Sequence, residues 1–222
     1  MTGLGEAGGG GAAPARPGAK DPGTVRPGGR TARVRAAVLR AAGDALAEHG
    51  FDRLDLTDIA RRAEVGKTTV YRRWSTAAGL VADLLDAMAE QSVHREGTGS
   101  LEGDLRAGAR LVVATLNDPR QGPLLRAVIA ASTGDPRTAR ALRRFYETRV
   151  EEWAERVRCA VRRGEAPEGT DPHEVVRAVS APLYHRALIS GGPLDDRAAD
   201  RAAAAALAAA RAGVYTRSPT PL

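Results

Sequence analysis

The chain has 222 residues, of which 43% are hydrophobic but only 4% aromatic, and a formal net charge of +6. That is enough for one large domain or two small ones, with a core built mostly of leucine, valine and alanine. Cys159 is the single cysteine, which excludes an intramolecular disulfide; no apolar run approaches the ~18 residues of a membrane helix, and the N-terminus lacks the apolar stretch of a secretory signal. The expected setting is therefore the cytoplasm, and an isoelectric point near 10.2 favours a polyanionic partner.

Residues 1–30 are glycine, alanine and proline with scattered charge, too poor in apolar surface to order themselves, and are expected to form a disordered tail. Helical periodicity starts at Thr31, with Val34, Val38, Ala41, Ala42 and Ala45 on one face. Gly50 ends that helix and Phe51 follows as an apolar plug. In the next stretch, Leu56–Trp74, Leu56, Ile59 and Ala63 line one face of a short helix with Asp55 as its N-cap. After Val65-Gly66 a second short helix turns Val70 and Trp74 inward with Val65. Its other side carries Thr68 and Arg72, flanked by Lys67 and Tyr71 and by Thr69 and Arg73. A helix this short is stable only when docked. Its outward residue types neutralise phosphates and hydrogen-bond base edges, as a recognition helix does; a solvated basic face is the plainer reading of the same pattern.

Thr76 can cap a fourth helix with Leu80, Val81, Leu84, Leu85 and Met88 on its apolar face, running to about His94. Further helices are expected over Leu101–Leu116 and Pro123–Ser132. Asp135-Pro136 and Asp171-Pro172 each join an N-cap to a proline at the first helical position, a strong start signal. The first opens a long helix with Leu142, Tyr146, Val150, Trp153, Val157 and Val161 at helical spacing. The second opens a helix that Pro182 should kink and Gly191-Gly192-Pro193 should end. An alanine-rich helix over about Asp195–Ala212 closes the pattern. No stretch alternates with period two, so the fold class is all-α: a trihelical helix-turn-helix unit over residues 31–76, a second helical domain over 77–213, and a flexible tail over 214–222. The small residues of the last two helices suit close packing, between two copies of the chain or within one.

Catalytic and metal-binding patterns do not appear. His49, His94, His173 and His185 are scattered and lack the spacing of a metal site. There is no nucleophile elbow and no phosphate-binding loop after a strand. No enzyme, cofactor or metal is expected.

The segment FDRLDLTDIARRAEVGKTTVYRRWSTAAGLV, with Phe51, Ile59-Ala60, Ala63, Val65, Thr69, Tyr71, Trp74 and Leu80, resembles the DNA-binding segment of the TetR family of bacterial transcriptional regulators. PLLRAVIAA, VRRGE, DPHEVV and PLYHRALISGGPL resemble one of its actinobacterial C-terminal groupings. The resemblance implies a homodimer joined through the last two helices. Its two recognition helices would enter successive major grooves of palindromic double-stranded DNA, with half-sites about 34–36 Å apart or more. It also implies a small-molecule effector in the second domain, whose binding releases the DNA, so that the protein is a repressor. The matching positions imply base-edge contacts from Lys67, Thr68 and Thr57, and phosphate contacts from Thr69, Tyr71, Arg72 and Arg73. Trp153, Tyr146, Tyr184 and His185 lie on the implied pocket helices, where such side chains are more often plain core or interface.

Three positions depart from the family pattern. Glu64 stands where the family has glycine, Gly66 where it has a small polar residue, as if the glycine had moved within the turn, and Ala77 where it has a phosphate-binding lysine. Glu64 and Ala77 leave two alternatives open: a helical ligand-binding module that has lost operator binding, and a DNA binder without a ligand.

Overall fold

A computed structural model describes residues 28–90 and 97–216. The expected N-terminal tail up to residue 27, the helix end near His94 and residues 217–222 lie outside the described residues. Among those described, nine α-helices follow one another: α1 Gly28–His49, α2 Leu56–Arg62, α3 Lys67–Arg73, α4 Ala77–Glu90, α5 Leu101–Asn117, α6 Gln121–Ser132, α7 Pro136–Arg162, α8 Pro172–His185 and α9 Asp196–Arg211. They contain no strand; one isolated antiparallel bridge joins Thr170 to Thr216.

The local signals set the helix starts. Asp55 accepts from the Thr57 backbone N–H, Asp135 from those of Arg137 and Thr138, and Asp171 from those of His173 and Glu174. Each satisfies donors that the first turn leaves without partners. Thr76 Oγ1 accepts from the Gly79 N–H at 3.1 Å at the start of α4. The boundary at Thr31 moves, since α1 already includes Gly28–Arg30. Helix α8 continues three residues past Pro182; the departure from α geometry comes at Arg186–Ser190, a single π-helical turn closed by Gly191 at φ 67°. The flexible tail expected from Val214 also needs correcting. The Tyr215 carbonyl accepts from the Asp171 N–H at 2.7 Å and Tyr215 packs on the core, so residues 214–216 fold back onto the start of α8.

Two hydrophobic clusters form the core, and neither coincides with the expected domains. The first joins Val38, Leu46, Ile59, Val70, Trp74, Leu80 and Leu85 to Leu116, Leu124, Leu125, Val128 and Phe145. Helices α1 and α4 therefore carry the helix-turn-helix unit directly onto α6 and α7. The second cluster packs Leu101, Leu105, Val157, Val175 and Leu183 against the alanines of α9.

Candidate nucleic-acid interface and effector cavity

Helix α3 has seven residues and only Val70 fully buried along it, with Trp74 following as a buried plug. These two anchors fix its orientation, and the spacing of Lys67, Thr68, Tyr71 and Arg72 then puts those four side chains on one face. All four are exposed, as is Arg73, whereas Thr57 and Thr69 are half-buried. The structure brings two of the seven expected residues into contact: the hydroxyls of Thr57 on α2 and Tyr71 on α3 lie 3.3 Å apart. Arg73 is drawn back, its guanidinium 5.2 Å from the Trp74 ring and 4.0 Å from Asp83.

Asp83 on α4 is a member of this site that sequence reasoning did not single out. Its carboxylate accepts two hydrogen bonds from Arg35 Nε and one, at 2.6 Å, from Arg35 Nη2 on α1. It also accepts one at 2.8 Å from the Trp74 indole N–H. Burial pushes the Asp83 carboxyl up, but the hydrogen bonds from Arg35 and Trp74 and the charges of Arg35 and Arg73 outweigh it and hold the group below the usual range. One carboxylate thus ties α1, the end of α3 and α4 together. The available signal was Trp74 itself, because a buried indole N–H needs an acceptor.

A second lock sits behind α2. Asp58 accepts from Arg61 and Arg62, both at 2.6 Å, and Arg62 reaches back to Glu48 at 2.7 Å and to the His49 ring on α1. The hydrogen bonds from Arg61 and Arg62 hold the Asp58 carboxyl below its ordinary value. These exposed pairs orient α2 more than they stabilise it.

The turn between α2 and α3 is strained at one residue. Glu64 has φ 55° and is the positive-φ residue other than glycine among those described. Its N–H donates to the Arg61 carbonyl at 3.1 Å and that of Val65 to the Ala60 carbonyl at 3.0 Å, which is the Schellman closure that normally places glycine in the left-handed position. Gly66 has φ −64° and caps α3 with no side-chain hydrogen bond.

In the body of the molecule a cavity of about 100 Å³ lies among α4, α5, α6, α7 and α8. Its wall is mainly aliphatic and aromatic, with Leu105, Leu125, Val150, Phe145, Tyr146, Trp153 and Tyr184, and it carries three charged groups, Asp104, Arg149 and Arg156. The Tyr146 and Tyr184 rings meet edge to face at 5.2 Å, and burial pushes both phenols up. Three of the four side chains expected on the pocket helices therefore line the cavity. His185 does not; it lies in a separate groove between α8 and α9 with Pro182 and Arg201. Sequence reasoning missed Arg149 and Arg156, although Tyr146, Arg149, Trp153 and Arg156 share one stripe of α7. Among the described residues no cluster of histidine, cysteine or carboxylate side chains could hold a metal ion, and no helix is long and apolar enough to cross a membrane.

Residues 38–84 match the bacterial regulatory proteins of the tetR family, and residues 95–206 match the tetracyclin repressor-like C-terminal domain. The chain belongs to the TetR family of transcriptional regulators. Among its relatives is a DNA-binding transcriptional repressor TetR of Mycobacteroides abscessus, 36% identical over 166 residues that cover 72% of this chain and 85% of the relative. Another is the uncharacterized helix-turn-helix regulator YdeS of Bacillus subtilis, 30% identical over 161 residues, covering 72% and 81%. The crystal structure of the TetR-family transcription regulator SCO0332 superposes with a TM-score of 0.64 at 30% identity, covering 79% of this chain and 97% of that one. The chain is thus a non-enzymatic regulator of an all-α, DNA-binding and dimerising family.

As a TetR-family regulator, this chain gives physical meaning to two of its departures from the family pattern. The turn still demands a left-handed residue at position 64, so the glycine at 66 does not take over that role; its own backbone suits any residue. Ala77 opens α4 half-buried and without a charge to offer.

Proposed function

We propose that this TetR-family regulator is a cytoplasmic repressor that binds a palindromic operator as a homodimer and is released by a small molecule. The observation that carries this reading is the α3 face: Lys67, Thr68, Tyr71 and Arg72 are exposed together on a helix whose inner side is anchored by Val70 and Trp74. Lys67, Thr68 and Thr57 read base edges, while Thr69, Tyr71, Arg72 and Arg73 hold phosphates. For Arg73 a phosphate has to compete with Asp83, 4.0 Å away. The named repressor of Mycobacteroides abscessus supports the direction of control. The outer faces of α8 and α9 support the dimer. Ala181 and Pro182 are exposed on one, Ala204, Ala205 and Ala208 on the other, and the π turn beside them exposes Leu188 and, at 75%, Ile189. The cavity supports the effector.

The test is a mobility-shift titration with the DNA flanking the gene for this chain, repeated at several salt concentrations. A sequence-specific, salt-sensitive shift is expected. Arg72→Ala is expected to weaken binding to every sequence and reduce the salt slope by about one. Lys67→Ala instead relaxes preference at one base pair per half-site by ~1–3 kcal/mol. Absence of any specific shift would favour the second reading, a ligand-binding module without operator binding. The exposed carboxylate of Glu64 in the turn between α2 and α3 and the neutral Ala77 are the features that point that way.

A further inference from the structure

We propose that the cavity takes a small monocyclic aromatic acid, with its ring among Leu125, Trp153 and Tyr184 and its anion against the Arg149 guanidinium. This rests on the ligand-responsive reading above and specifies the chemistry of that same site.

Size comes first. A cavity of about 100 Å³ is on the scale of the ~150 Å³ apolar cavity that takes up benzene, so its size suits a single ring. The aromatic and aliphatic wall suits a flat apolar body.

The polar groups then decide the charge. Asp104 is buried and engaged by the segment that precedes α5: it accepts from the Thr98 N–H at 2.8 Å and the Thr98 hydroxyl at 3.1 Å, and it faces Arg156 at 3.9 Å. Arg156 in turn covers the Trp153 ring at 4.1 Å, and Arg149 covers Phe145 at 5.2 Å. Two ring faces that could receive a cationic ligand are thus already taken by guanidinium groups, which also repel a second cation. The hydroxyls of Thr115 and Ser180 donate to carbonyls of their own helices, so neither proton is offered to a ligand. The charged groups of the wall are two guanidiniums against one carboxylate, and a guanidinium suits a carboxylate ligand.

Arg149 also connects the site to the DNA-binding head. Its Nη2 donates to the Met88 carbonyl on α4 at 3.2 Å. An anion that recruits Arg149 competes with that carbonyl. Occupation of the cavity is thereby linked to the seating of α4, the helix that carries Asp83.

The experiment uses the full chain with three probes of equal size: benzoate, benzyl alcohol and benzylamine. Calorimetry and thermal shift are expected to show benzoate binding at least tenfold tighter than benzylamine. Arg149→Met is expected to remove at least tenfold of the benzoate affinity while leaving benzyl alcohol unchanged. In the unsubstituted protein benzoate is also expected to change the tryptophan emission, and Trp153→Phe, which leaves only Trp74, to abolish that change. This second readout stands even if Arg149→Met does not fold. Benzylamine binding as tightly as benzoate, benzoate affinity untouched in a folded Arg149→Met, an emission change that survives Trp153→Phe, or no binding of any probe each overturns the assignment. The mobility shift in the absence of probe is independent of all these outcomes. If some other compound released the DNA while benzoate did not bind, the acid would be wrong and the regulator reading would stand.

Discussion

Glu64 holds a backbone conformation that costs an L-residue of its kind roughly 1–2 kcal/mol, and it does so where two closing hydrogen bonds leave the chain no alternative. Glu64→Gly removes that strain at the cost of some unfolded-state entropy. A net stabilisation of roughly 1 kcal/mol is expected, measurable as a higher urea midpoint at unchanged slope. Glu64→Gln keeps the strain and removes the charge, so it should leave the midpoint nearly unchanged yet tighten operator binding at low salt. Far from this turn, Glu151 bonds the His173 ring at 2.6 Å and Arg158 at 2.8 Å, joining α7 to the start of α8. The hydrogen bonds from Arg158 and His173 pull its carboxyl from 4.5 down to about 2. Because the folded value is depressed, the contribution is present above about pH 4.5 and is lost as pH falls towards 2. In chemical unfolding across that range, the stability difference between the natural protein and Glu151→Gln should shrink to nothing at the acid end. These residues also mark what was legible in the sequence. Asp55, Asp135 and Asp171 declared their roles because a cap acts on the N–H groups two or three residues away. The family pattern flagged position 64, but the reason, a left-handed backbone, became visible only in the turn. Asp83 was silent because its partners, Arg35 and Trp74, stand 48 and 9 residues away.

At the level of elements, the orientation of α3 rests on very little apolar area, and Asp83 supplies what packing does not. Asp83→Ala leaves the buried Trp74 N–H without its acceptor and the Arg35 guanidinium without its carboxylate. A loss of about 2 kcal/mol is expected, read from the denaturant midpoint. Asp83→Asn keeps an acceptor for the indole and should cost less. It also frees Arg73, so the salt dependence of operator binding should steepen; a slope that stays put would mean that Arg73 never reaches the DNA. The helices themselves were readable from periodicity and punctuation, to within three residues at most starts. The π turn at Arg186–Ser190 was not, since no residue type marks it. The fold-back of residues 214–216 onto Asp171 was hidden because it is a backbone pairing between segments far apart in sequence.

Across the whole molecule, the head is not a separate bead on the body. α1 packs on α6 and α4 on α7 within one continuous cluster, and Arg120 at the start of α6 pairs with Asp44 at 2.7 Å and reaches the Arg40 carbonyl at 3.2 Å. At Gly43 the helices pack closely enough that an added Cβ would meet Leu124 Cδ1 at 3.2 Å. The Leu124 terminus can give by the few tenths of an ångström that alanine needs, so Gly43→Ala should be nearly neutral. Gly43→Leu should wedge head and body apart at ~1–3 kcal/mol, seen as a lower melting temperature. The packing runs straight through the division at residue 76 expected from the sequence.

The alanine face of α9 has a consequence for how this protein can vary over generations. Ala199, Ala203, Ala206 and Ala210 are buried against α5 and α8 with almost no exposed surface. A single nucleotide change in an alanine codon yields valine, glycine, serine, threonine, proline, aspartate or glutamate. Each of these either overfills the contact, buries a polar group or lowers helix propensity. The inner side of α9 should therefore accept few heritable steps, while its outer side is free of those constraints within one copy.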